Sequence, residues 1–149
     1  MINSTLCYIE QNGKYLMLFR NKKTHDVNGQ KWVGVGGKFE PGETAEQCLI
    51  REVKEETGLD LLSYHYYGVI NFISDEWEDE RMHLFLGTAF SGNLIPDCPE
   101  GELHWVPKEE IMDLPMWEGD PYFLKEMLRG AEQISMTLRY EGENLVEVF

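Results

Sequence analysis

The sequence predicts an α/β fold, with strands mixed among two or three helices. Runs rich in Tyr, Val, Ile, Leu and Phe, bounded by turn residues, recur along the chain and read as strands. A run free of Gly and Pro follows Pro41-Gly42 and continues through Thr57. Gly58 then stands where a helix C-cap is expected. The 149 residues fit one domain over residues 1–149, since ~100–200 residues per domain is usual. A chain of this size buries about 70% of the surface its unfolded form exposes and needs neither disulfide nor structural zinc to fold.

Taken in order, residues 3–10 and 14–20 read as two short strands around the turn signal Asn12-Gly13. Residues 21–31 are a polar loop. Gly34, Gly36, Gly37 and Gly42 mark a short strand running into a tight loop over 32–42. The helix follows over 44–57. Residues 59–74 and 81–90 read as strands flanking the acidic loop Asp75–Glu80, and a Pro/Gly-rich loop spans 91–101. Leu103–Val106 suits a short strand, with helical segments near 107–112 and 120–130. The tail has hairpin character: Ser135–Tyr140, the turn Glu141-Gly142, then Asn144–Phe149.

Composition excludes several classes. Thirteen Lys+Arg against 27 Asp+Glu give a formal net charge of -14, which argues against direct nucleic-acid binding, a function that needs clustered cations. A nucleotide substrate is still compatible, because a divalent cation can bridge acidic protein to acidic phosphate. No apolar run is long enough to span a membrane, and Met1-Ile2-Asn3-Ser4 does not begin a signal peptide. Cys7, Cys48 and Cys98 lack CxxC spacing and read as reduced thiols of a cytoplasmic protein. His25, His65, His83 and His104 share no ligand spacing.

Chemistry concentrates on the first helix. At 100° per residue Glu52, Glu55 and Glu56 fall within a 100° arc, beside the apolar arc of Leu49, Ile50 and Val53. A solvated acidic face is one reading. Against it, like charges at i, i+4 destabilise a helix by a few tenths of a kcal/mol. Anions in the last turn also oppose the macrodipole, by ~0.3–1 kcal/mol each. A hard cation such as Mg²⁺ or Mn²⁺ would reverse the sign of both penalties. Helix geometry alone leaves the two readings open.

The flanking residues add a resemblance. From Gly37 the chain runs five residues to Glu43, seven more to Arg51-Glu52-Val53-Lys54-Glu55-Glu56-Thr57, then Gly58-Leu59. This resembles the Nudix hydrolase box, G-x5-E-x7-R-E-U-x-E-E-x-G-U, at every specified position. Chance agreement in a chain this long is on the order of one in ten million. The resemblance implies an α/β/α sandwich around a mixed central sheet, with the box forming loop-helix-loop. It also implies metal-assisted hydrolysis of a nucleoside diphosphate linked to another group. Glu52, Glu55 and Glu56 then resemble the metal-binding and catalytic glutamates, with Glu52 the first choice of base. The Gly36 carbonyl resembles a further ligand, and Glu43 and Arg51 resemble a structural ion pair. Glu100 is the favoured extra ligand or base among the loop carboxylates Glu78, Glu80, Glu100 and Glu102. Gly34, Gly36 and Gly37 do not form a P-loop, because Lys38 is followed by Phe39.

Outside the box, Trp32–Glu43 and Leu114-Pro115-Met116-Trp117-Glu118-Gly119-Asp120 are similar to segments of the MutT/MutX-like 8-oxo-dGTP diphosphatase subgroup. That resemblance implies a substrate-binding role for Trp117, stacking on a purine, and for Asp120, bonding its edge. It points to a nucleoside triphosphate, particularly an oxidised purine nucleotide, cleaved to monophosphate and pyrophosphate; the alternatives are the same chemistry on ADP-ribose, a nucleotide sugar or a dinucleoside polyphosphate, and a catalytically silent nucleotide-binding domain. Asp120 before Pro121 also fits a plain helix N-cap. The chain departs from the subgroup at Val27, Val33 and Gly119, and Val33 cannot hydrogen-bond a base edge. Arg20, Lys22 and Lys23 are candidates to reach a triphosphate tail. The 132–149 hairpin is a candidate to cover the sheet edge or to pair two subunits of a homodimer.

Overall fold

The computed structural model describes residues 1–22 and 29–149. Lys23, His25 and Val27 lie outside the described residues. The elements are β1 (Ile2–Gln11), β2 (Lys14–Phe19), β3 (Trp32–Val33), α1 (Ala45–Thr57), β4 (Asp60–Ser74), β5 (Glu80–Ser91), β6 (Glu102–Pro107), a 3-10 helix (Lys108–Asp113), α2 (Asp120–Leu128), β7 (Met136–Glu141) and β8 (Asn144–Val148). Among the described residues the strands form one 8-stranded sheet in the order β3-β2-β1-β5-β4-β7-β8, with β6 on the other side of β2. The β1–β5 and β4–β7 pairs are parallel and the remainder antiparallel, so the sheet is mixed.

Alternation along each strand divides two cores between the faces of the sheet. Cys7, Ile9, Leu16 and Leu18 pack with Leu49 and Val53 of α1. Tyr8, Tyr15 and Met17, one residue out of step, pack with Ile111 of the 3-10 helix and with Phe123, Leu124 and Met127 of α2. Helices therefore cover both faces, giving the α/β sandwich.

Local chemistry explains the boundaries. Asn12 and Gly13 have φ of 52° and 75°, the positive pair that a tight hairpin turn demands and Asn-Gly supplies. In α1 the Thr44 side chain accepts from the Gln47 N–H, and the Gln47 side chain accepts from the Thr44 N–H, a complete capping box. Gly58 ends the helix at φ 82°, with its N–H bonded to the Lys54 carbonyl. One expectation is refined and one changes. The segment near 107–112 is a 3-10 helix. The cap of α2 is Gly119, and Asp120 is the first helical residue with no side-chain capping bond.

One irregularity positions the site. β1 and β2 pair only next to their turn, from Ile9↔Leu16 to Gln11↔Lys14. Beyond that they part. β3 bonds β2 at Leu18 and Phe19. The following glycine-rich segment crosses to β1, where Val35 exchanges both backbone bonds with Cys7 and the Thr5 N–H bonds the Gly37 carbonyl. The loop is thus stitched between two diverging strands, and its glycines face the C-terminal half of α1.

Candidate active site

The loop can lie there only because two of its positions, Gly36 and Gly37, carry no side chain. A Cβ on Gly36 would stand 2.0 Å from the Thr5 carbonyl oxygen, which is backbone and cannot yield. A Cβ on Gly37 would stand 2.5–2.7 Å from the carboxyl atoms of Glu52, the end of a movable side chain. The two substitutions should therefore separate. Gly36→Ala is expected to cost roughly 2–4 kcal/mol of stability. Gly37→Ala is expected to fold but to displace Glu52 and lose turnover. Thermal melts and activity of the two variants check this; equal melting losses would contradict it.

Glu52 and Glu56 line a cavity of about 830 Å³ together with Arg20, Gly36, Lys38, Arg51 and Glu100. Glu56 is almost fully buried, and its Oε2 accepts the Gly36 N–H at 2.9 Å. Burial pushes its carboxyl up to about 8; the Gly36 bond opposes this, and the Glu52 carboxylate adds to it. Glu52 is also raised, chiefly by burial, against the pull of Arg51. Arg20 and Glu100 form an ion pair at 3.0 Å with both side chains largely covered. Arg51 is the hub of the loop-helix junction. Its Nε and Nη2 donate to the two Glu43 oxygens at 2.7 and 2.9 Å, its Nη1 to Glu52 at 2.7 Å, and its Nη2 to the Lys38 carbonyl at 3.1 Å. The Arg51 bond holds Glu43 down to about 2.

Glu55 is placed differently from its two neighbours. It does not line the cavity; its side chain is 58% exposed and meets Arg51 at 3.2 Å. An exposed i, i+4 pair of this kind is worth at most about 0.5 kcal/mol, so Glu55 is easily released. Among the described residues no three His, Cys, Asp or Glu side chains stand as a ready-made metal group. Their partners explain this, since Glu52 and Glu55 hold Arg51 and Glu56 holds the Gly36 amide. The donor chemistry nevertheless suits a hard divalent cation: one buried and one half-buried carboxylate beside the half-buried backbone of a glycine-rich loop, in one cavity.

The same cavity extends to an aromatic end. Leu6, Val33, Phe72, Met82, Trp77, Trp117, Asp120 and Tyr140 line it there. Trp117 packs edge-to-face on Tyr140, 5.5 Å between centroids and 84° between planes. The Lys31 ammonium lies 4.5 Å over the Trp117 ring and 2.9 Å from Glu143 of the C-terminal hairpin. The Tyr140 hydroxyl accepts the Gly119 N–H at 2.7 Å, fixing the start of α2. Asp120 is buried, and burial pushes its carboxyl up to about 7, against Lys31. That carboxyl makes no capping bond and lines the cavity beside these aromatic side chains.

Of the residues singled out in the sequence, Gly36, Glu52, Glu56, Glu100, Arg20, Trp117 and Asp120 come together in this cavity. Glu55 stands outside it, paired to Arg51, and Lys23 lies outside the described residues. Lys22 turns away to Asp97 and the Cys98 carbonyl. Glu102 binds Asn21 and His104, whereas Glu78 and Glu80 line the cavity. Sequence reasoning missed Phe72 and Tyr140 as cavity walls. Each looks like an ordinary strand aromatic, and only the parallel β4–β7 pairing brings them together.

Comparison with known proteins gives the family and the fold. The NUDIX domain model matches residues 3–127, and the chain belongs to that family of hydrolases acting on nucleoside diphosphate-linked substrates. The Nudix hydrolase YvcI of Bacillus subtilis (strain 168) is 30% identical over 143 residues, 93% of this chain and 87% of that protein. An oxidized purine nucleoside triphosphate hydrolase of Danio rerio is 29% identical over 143 residues, 95% of this chain and 88% of that protein. The crystal structure of a MutT protein from Bacillus halodurans superposes with a TM-score of 0.89 at 27% identity. It covers 100% of this chain and 97% of the other.

Proposed function

We propose that this Nudix hydrolase cleaves purine nucleoside triphosphates, oxidised ones such as 8-oxo-dGTP in particular, to the monophosphate and pyrophosphate. The observation that carries the reading is the single cavity with two chemically different ends. One end holds Glu52, Glu56, Glu100 and Arg20, and the other holds Trp117, Phe72 and Asp120. The apolar, aromatic end suits a planar base, and Asp120 is the polar group that reads its edge. Lys38, and Arg20 on exchange of its Glu100 partner, are the cavity cations that would reach phosphate oxygens, whereas Arg51 is committed to Glu43 and Glu52. The similarity to a relative named for oxidized purine nucleoside triphosphates supports the same substrate class.

Nudix hydrolases work with a divalent metal. Here Glu52 and Glu56 would hold Mg²⁺ or Mn²⁺, with the Gly36 carbonyl, Glu100 and a released Glu55 as further donors. Bound there, the cation neutralises phosphate charge and acidifies water. The chain's own contribution is to exclude bulk water from the Glu56 side of the cavity. It also sets Glu52 against Arg51 in a position to take a proton, and fixes Glu52 and Glu56 one helical turn apart. Parallel assays of 8-oxo-dGTP, dGTP, dATP and ADP-ribose, with pyrophosphate and nucleotide products both measured, test this. Preferential Mg²⁺-dependent release of pyrophosphate from 8-oxo-dGTP is expected. Preferential cleavage of ADP-ribose would keep the acidic end and remove the base-pocket reading.

A further inference from the structure

The β4–β5 loop carries Trp77, a large apolar side chain 41% exposed within the acidic run Asp75-Glu76-Trp77-Glu78-Asp79. It is not packed into either core, yet it lines the cavity that Trp117 and Asp120 line. The loop that presents it is fastened within itself and to its neighbours. The Ser74 hydroxyl accepts the Glu76 and Trp77 N–H groups, each at 3.0 Å, and Asp79 accepts the Ser74 N–H at 3.2 Å. Asp75 accepts the Gly142 N–H at 2.9 Å, tying the loop to the turn of the β7–β8 hairpin. Trp77 and Trp117 stand 5.8 Å apart with their planes at 86°.

On the reading that this cavity takes a purine nucleotide, we propose that Trp77 is a second base-contacting wall and a determinant of purine affinity. A planar base laid face-on against Trp117 would lie perpendicular to Trp77. The two would meet edge-to-face, the other geometry that aromatic pairs favour. Exposure of Trp77 then has a reason: its missing contact is with the ligand. The ligand class this selects is a flat bicyclic base, since a single ring on Trp117 would offer Trp77 less edge.

The test is steady-state kinetics of Trp77→Ala and Trp77→Phe with 8-oxo-dGTP and dGTP, and with inorganic tripolyphosphate as a base-free competitive inhibitor. Base–aromatic contacts of this kind support an expected KM rise of about tenfold in the Ala variant, with kcat within about twofold and Phe restoring most of the loss. The tripolyphosphate inhibition constant should not move. An unchanged KM in Trp77→Ala, or a tripolyphosphate constant that rises in step with KM, would overturn the proposal while wild-type purine turnover left the parent reading standing. Wild-type protein that neither bound nor cleaved any purine nucleotide would overturn both.

Discussion

Glu56→Gln is expected to lower turnover by about 100-fold or more while making the metal-free protein more stable at neutral pH. The two effects share one cause. In the fold the Glu56 carboxyl is pushed from 4.5 to about 8, mainly by burial. Between those values the unfolded chain has released a proton that the folded chain still holds. Stability therefore falls as pH rises from about 4.5 to about 8, and the loss persists above that. Glutamine keeps an acceptor for the Gly36 N–H and removes the charge, so the variant should not show this loss. Added Mg²⁺ should raise the melting midpoint of the wild type at pH 8 and leave that of the variant nearly unchanged. Glu55→Gln should lose less activity, because its exposed side chain stands outside the cavity. Near-normal turnover of Glu56→Gln, with an undiminished response to Mg²⁺, would contradict the site.

The second large effect concerns Asp120. Its carboxyl titrates near 7 in the fold against 3.8 ordinarily, so both charge states are populated close to neutrality. Ionised, it accepts from the N–H groups of a guanine-type edge; protonated, it can donate to an adenine-type edge. The ratio of kcat/KM for dGTP over dATP is accordingly expected to climb between pH 6 and pH 8, by about tenfold across a full titration. Because kcat/KM reports the free enzyme, the midpoint should lie near the free carboxyl's value. Asp120→Asn should flatten that profile. It should also stabilise the unliganded protein at pH 8, where burying the charge costs most. A ratio independent of pH in the wild type would remove Asp120 from base reading.

The acidic end of the cavity, the proposed hydrolytic end, was largely legible in the sequence because it is local. Gly36 through Gly58 form one continuous loop-helix unit, and helical spacing places Glu52 and Glu56 one turn apart without reference to the rest of the chain. The same spacing did not separate Glu55 from its neighbours. The side chain's direction depends on Arg51, which is already committed to Glu43 eight residues earlier. The strand-like runs gave the α/β class and the Asn12-Gly13 signal gave the turn, while the sandwich came with the resemblance of the box; none of them gave the parting of β1 and β2 that admits the glycine loop. The base end was less legible because four separate elements build it. Phe72 comes from β4, Trp77 from the β4–β5 loop, Trp117 and Asp120 from the approach to α2 and its first residue, and Tyr140 from β7. Asp120 illustrates the ambiguity: Asp-Pro before a helix spells a cap, yet Gly119 takes that position and the carboxyl turns to the compartment wall.

The most direct test of the two-ended cavity is a one-pot competition. Equal 8-oxo-dGTP, dGTP and ADP-ribose are mixed with the protein, with Mg²⁺ or with chelator, and each product is quantified as it appears. The expected result is early, Mg²⁺-dependent formation of 8-oxo-dGMP and pyrophosphate ahead of the other products, and none with chelator. Equal consumption of all three substrates, or ADP-ribose cleaved first, would contradict the claim that Trp117 and Asp120 select the base.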